Sequence, residues 1–149
     1  DRDYFELDIR HQTYADHDRG IYRPAIQYPA VVAYIVRDDG LMLAVTRKDT
    51  HELSAPGGKC EPNESMHKAL RRAMFEEVGR TPVHWRLVYD GKHSSGRQVF
   101  AYRILEWSGT PHAWEHGTRI EWTEPRIIAN SFGADYHRRA LAAAGLIRP

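Results

Sequence analysis

The chain has 149 residues, 42% of them hydrophobic and 28% charged, with a formal net charge of +1. That is enough apolar material for one core; it excludes a disordered chain, and the balanced charge leaves no basic coat, so nucleic acid is not an expected partner. The single cysteine, Cys60, rules out an intrachain disulfide, and no apolar run approaches the ~20 residues of a membrane-spanning helix. The expected setting is a reducing cytoplasm, with no membrane partner.

Residues 1–29 mix charges, tyrosines and prolines without a sustained period. They read as an N-terminal arm or edge element, a candidate for pairing with a second copy in a homodimer, and residues 30–149 read as the domain proper. The opening DRDYFELDIRHQ lacks the basic-then-apolar order of a signal peptide. From Ala30, VVAYIV reads as a buried strand, DDG as a tight turn and LMLAVT as a second strand, together predicting a hairpin. A helix is expected over roughly Glu64 to Val78. Two further strands, Val83 to Tyr89 and Gln98 to Leu105, are joined by the turn-rich GKHSSG, and Arg119 to Thr123 forms a short fifth. The segment ADYHRRALAAA, Ala134 to Ala144, predicts a last helix stopped by Gly145. Strands, helix, strands, helix is the order of an α/β domain with a mixed sheet and helices packed on it.

The first helix concentrates charge. Asn63 or Ser65 can cap its start, Glu64 suits the positive end of its dipole, and Gly79 supplies the stop. At about 100° per residue, Leu70, Met74 and Val78 gather on one apolar side with Met66 at the margin, while Ala73, Glu76 and Glu77 share a neighbouring face. Adjacent carboxylates repel unless a cation lies between them, so a metal site is one explanation. The other is a solvated helix in which Arg72 pairs with Glu76 at i+4. The loop before the helix favours the metal: Pro56, Gly57 and Gly58 permit an unusual backbone path that can turn a carbonyl toward a cation, and hard oxygen donors suit magnesium or manganese.

These residues resemble the Nudix box, G-x5-E-x7-R-E-U-x-E-E-x-G-U with U a bulky aliphatic residue. Gly58, Glu64, Arg72, Met74, Glu76, Glu77 and Gly79 all fall in register. The resemblance covers roughly Ala30 to Leu146 and implies an α/β/α sandwich with a mixed β-sheet. It also implies a magnesium- or manganese-dependent hydrolase that cleaves a nucleoside diphosphate linked to another group X, with a modified nucleoside triphosphate as one candidate substrate. Two positions depart from the pattern. Arg80 occupies the last aliphatic position, a mild change. Ala73 stands where a glutamate commonly ligates metal or takes a proton from the attacking water, and alanine can do neither. The expectation is an active parent carrying an engineered Glu→Ala change, so that this chain is catalytically impaired.

By the same resemblance, Glu76, Glu77 and the Gly58 carbonyl are the expected metal ligands, while Glu64 and Arg72 form a supporting pair. A further acidic ligand or base is expected from PHAWEHGTRIEWTEP, which ends in a tryptophan, Trp122, as in MutT-type members: Glu115 first, then Glu121, with Glu124 the remaining carboxylate. Arg47 and Lys59 are candidates for phosphate binding, and Asn130 and Asp135 for reading a purine edge, although Asp135 can equally cap the last helix. Trp85, Trp107, Trp114 and Trp122 read as core or rim residues. The nine histidines are not read as a zinc site, and the chain carries no Walker loop or G-x-S-x-G elbow. Neither subgroup marker expected about sixteen residues past the box, a proline for ADP-ribose or a tyrosine for dinucleoside polyphosphates, occurs in SSGRQV. Two alternatives stand beside the hydrolase: a nucleotide-binding or sensing domain without catalysis, and a nucleotide-sugar hydrolase.

Overall fold

The computed structural model describes residues 27–46, 48, 51–110, 112, 118–131 and 135–149. The N-terminal arm up to residue 26 therefore lies outside the described residues. The strands are β1 (Ala30–Ile35), β2 (Met42–Thr46), β3 (Leu53–Ser54), β4 (Gly57–Lys59), β5 (Thr81–Lys92), β6 (Gln98–Ser108) and β7 (Ile120–Thr123). The helices are α1 (Met66–Val78), α2 (Pro125–Ala129) and α3 (Tyr136–Ala143).

The strands divide into a four-stranded sheet, β4-β1-β6-β5, and a three-stranded sheet, β3-β2-β7. In the first sheet β1 runs parallel to β6 and antiparallel to β4, and β5 is antiparallel to β6, so that sheet is mixed. Alternation along the strands divides the core between two faces. Val31, Ala33, Ile35, Leu43, Val45, Phe100, Tyr102 and Ile104 pack with Ala69, Leu70, Met74 and Val78 of α1. Their sequence neighbours Val32, Tyr34, Met42, Ala44, Val99 and Ala101 pack with Ile128, Ala129, Ala140 and Leu141 of α2 and α3. Strands buried on both faces read as continuous apolar runs, which is why VVAYIV and LMLAVT carry so little polar alternation. The result is the expected α/β/α sandwich.

The hairpin expected between the first two strands is corrected. The DDG turn forms, with Arg37 N–H donating to the Leu41 carbonyl at 2.8 Å, but only the bridge Val36↔Met42 links the two segments. Both edges of β1 are already taken, by β4 and β6, so β2 diverges and founds the second sheet with β3 and β7. The GGK segment, expected as loop, is strand β4. Here a Cβ on Gly57 would meet the Val31 carbonyl oxygen at 2.4 Å, so only glycine lets the two backbones approach.

Helix boundaries shift slightly. Ser65 is the N-cap of α1 and accepts from Lys68 N–H at 3.2 Å, which leaves Glu64 just outside the helix. Gly79 closes it in the left-handed region at φ 72°, as its position suggested. α2 went unread because it is a single short turn opened by Pro125.

Candidate active site

A cleft of about 700 Å³ opens between the two sheets. Its floor is the start of β1, Ala30 to Val32. The strand order puts β4, with Gly57, Gly58 and Lys59, on one flank and the β5–β6 turn, with His93, Ser95 and Arg97, on the other. Thr46, Lys48, Ser54 and Thr118 enter from the second sheet, and Tyr136 from α3. Glu77 is the α1 carboxylate that reaches this space.

Glu77 is placed by a specific contact: its Oε1 accepts the Gly57 N–H at 2.7 Å. The carboxylate is thereby fixed against the glycine strand twenty residues earlier in the chain. Ala73, one turn before it, is 3% exposed, and its Cβ would lie 3.6 Å from a Cβ on Gly58. Position 73 therefore looks directly at Gly58, and a longer side chain there would reach the same strand. Glu76 behaves differently. Its side chain is 59% exposed and its Oε1 accepts from Arg72 Nη1 at 2.9 Å, the helical pairing expected of a solvated surface carboxylate.

Arg72 is the hub that docks β4 on α1. Its Nε and Nη2 bind both Glu64 oxygens, at 2.8 and 2.9 Å, and Nη2 also donates to the Lys59 carbonyl at 2.9 Å. Glu64 Oε1 in turn accepts the Glu61 N–H at 2.9 Å. The hydrogen bonds from Arg72 hold the Glu64 carboxyl below the usual carboxylate range, against desolvation that opposes them. Glu64 likewise raises the affinity of Arg72 for its proton. This fork is the structural pair the spacing suggested, an end of chain folded back on the helix.

Arg80 also finds a place as a substitute for an aliphatic residue. Its guanidinium lies 5.4 Å from the Trp107 ring centroid and 5.8 Å from that of Trp122, and burial lowers its pKa. Trp85, Trp107 and Trp122 all pack against the α1-side core, in keeping with a rim role.

The other expected site residues are dispersed. Lys59 lines the cleft. Arg47, Glu115 and Trp114 lie outside the described residues. Glu121 is exposed and pairs in register with Ala44, whereas its neighbours Ile120 and Trp122 pack on the α1 side, so alternation turns Glu121 to the opposite face of β7. Glu124 binds Arg126 at 2.7 Å. Asn130 Oδ1 accepts from Arg138 Nη2 at 2.7 Å, and Asp135 stands at the start of α3 without a side-chain cap bond. None of these four is among the residues lining the cleft.

Tyr136, immediately after Asp135, does line it, with its ring 5.9 Å from that of His93. It is followed by His137, which is 1% exposed and meets the Tyr34 hydroxyl through Nδ1 at 2.8 Å; burial lowers its pKa to about 4. Sequence reasoning missed Thr46, Lys48, His93, Arg97 and Tyr136, because these scattered positions, from strand, turn and helix, meet only in the completed fold.

Among the described residues, no group of three or more His, Cys, Asp or Glu side chains converges on one point. The donors near Gly58 are of the hard oxygen type that Mg2+ accepts, and Mg2+ commonly keeps several waters and takes only one or two protein carboxylates. Glu77 and the glycine strand fit such an ion. Residue 73, on the same face of α1, is alanine and offers no oxygen donor.

A family model for the NUDIX domain matches residues 27–143. The chain belongs to the Nudix family. Among its relatives, the 8-oxo-dGTP diphosphatase of Escherichia coli is 31% identical over 59% of this chain and 74% of its own length. The CTP pyrophosphohydrolase of the same organism is 32% identical over 64% of this chain and 75% of its own. A crystal structure of a MutT Nudix hydrolase from Burkholderia pseudomallei superposes with a TM-score of 0.66 at 25% identity, covering 78% of this chain and 96% of that one. The fold, the box and these relatives place this Nudix chain with hydrolases of pyrophosphate linkages. No helix among the described residues is long and apolar enough to cross a membrane.

Proposed function

We propose that this Nudix chain binds a nucleotide in the cleft between its sheets and is built to hydrolyse its pyrophosphate linkage with Mg2+ or Mn2+. The observation that carries the reading is the Glu77 carboxylate held 2.7 Å from the Gly57 N–H at the cleft wall, beside Gly58 and Lys59. Glu77 and the Gly58 carbonyl would hold the ion, with Glu115 a further candidate; Glu76, the other ligand the resemblance implies, would have to leave its Arg72 partner to join them. When bound, it supplies charge neutralisation for the phosphates and a more acidic water. Glu77 keeps its position through the Gly57 contact. Lys48 and Lys59 bring positive charge to the phosphates, and Arg72 keeps β4 and α1 in one arrangement. The flank of His93 and Tyr136 offers ring edges to a base. The two E. coli relatives, similar to this chain to the same degree, are named for a modified purine and a pyrimidine nucleotide, so kinship leaves the base open.

Ala73 favours a second reading. With no carboxylate facing Gly58, the cleft can bind nucleotide and metal yet turn over slowly, as in a sensing domain or an impaired enzyme. Glu77→Gln separates charge from geometry, since a Gln oxygen can still accept the Gly57 N–H. Titration calorimetry with Mn2+ should show binding to the parent chain that is lost or weakened about tenfold or more in Glu77→Gln. Hydrolysis of a panel of nucleoside triphosphates and nucleotide sugars should fall by about a hundredfold or more in the same variant. Unchanged Mn2+ binding in Glu77→Gln would remove Glu77 from the metal site.

A further inference from the structure

Thr46 ends β2 at the wall of the cleft, is only 8% exposed, and its Oγ1 is buried with no hydrogen-bond partner among the described residues. Leaving a hydroxyl dry and unpaired costs about 1–3 kcal/mol, and valine would fill the same volume without that cost. The backbone gives the side chain no retreat. Thr46 N–H donates to the Arg119 carbonyl at 2.8 Å, and the residue sits opposite Leu53 in the β2–β3 ladder. Thr46 itself lines the cleft, so the partner its hydroxyl lacks can come from that side.

We infer that Thr46 is a specificity-determining residue whose hydroxyl binds an uncharged hydrogen-bonding group of the nucleotide, on a base edge or the sugar. This rests on the nucleotide reading above and deepens it. The surroundings favour a neutral group. Ser54, opposite Val45 in register, and Thr118, beside Arg119, also line the cleft, so three hydroxyl-bearing residues gather on the second sheet's side. The cations Lys59 and Lys48 serve phosphate instead. A site that hydrogen-bonds its ligand rejects an analogue lacking the partner, because its own buried group is then stranded.

The test compares Thr46→Val and Thr46→Ser with the parent chain, using non-hydrolysable methylene-bridged triphosphates of the four ribonucleosides and their 2′-deoxy counterparts. Without nucleotide, Thr46→Val should melt at the parent's temperature or above it, since it removes an unpaired buried hydroxyl. Its Kd for the preferred analogue should rise about tenfold, whereas Thr46→Ser should stay within about threefold of the parent. Loss of preference among bases assigns the contact to the base edge; loss of the ribo–deoxy preference assigns it to the sugar. If the parent binds an analogue and Thr46→Val binds it equally well, Thr46 has no such role while the nucleotide reading stands. If the parent binds none of them, both fall.

Discussion

At the scale of single residues, the Arg72–Glu64 fork ties the Lys59 carbonyl end of β4 to the helix that carries Glu77. Glu64 is 12% exposed and its folded pKa is lowered by Arg72, so it binds its proton less tightly folded than unfolded. The stabilisation is then fully present above the unfolded value of about 4.3 and is lost as pH falls through the lower folded value. Glu64→Gln should destabilise the chain by roughly 1–3 kcal/mol at pH 7. The gap between the two melting curves should close below the carboxylate range, and a gap that stays constant down to acid pH would show that Glu64 acts by packing. The fork was legible in the sequence as a matched spacing. The orphaned Thr46 hydroxyl was not, because satisfaction of a polar group depends on what the fold brings near it.

At the scale of elements, the glycine strand and α1 form one unit. The α1 stripe of Leu70, Met74 and Val78 and its Gly79 stop could be read from the chain, since they follow from local signals, while the cap was narrowed only to Asn63 or Ser65. β4 could not, since GGK has no strand propensity and becomes a strand only by pairing with β1. The hairpin expectation failed for the same reason, as the partners of β1 come from distant segments. Gly57→Ala tests the unit: its Cβ would press on the Val31 carbonyl, so β4 must shift and the Glu77 contact with it. We expect a melting temperature lower by roughly 5 °C or more, and Mn2+ affinity reduced even at temperatures where the variant is folded. A variant with parental stability and parental Mn2+ binding would show that this close approach is dispensable.

For the whole molecule, the two sheets enclose the cleft between them, and a helix layer packs on each face. The family and its site helix were legible because the box depends on fixed spacings within one segment. The opposite wall, with Thr46, the β5–β6 turn residues His93 and Arg97, and Tyr136, comes from three distant parts of the chain, and only the completed fold shows it. We propose that the cleft is a pyrophosphate-hydrolysing site that lacks one carboxylate, at position 73. Ala73 is buried facing Gly58, beside the Glu77 wall, so a glutamate there would add its charge where the ion is to be held. The most direct measurement is steady-state hydrolysis of the preferred nucleotide by Ala73→Glu and the parent chain in saturating Mg2+. We expect kcat to rise at least about a hundredfold with a modest change in KM, since an added acid–base group acts on turnover more than on binding. A folded Ala73→Glu variant whose kcat stays at the parent's level would contradict it.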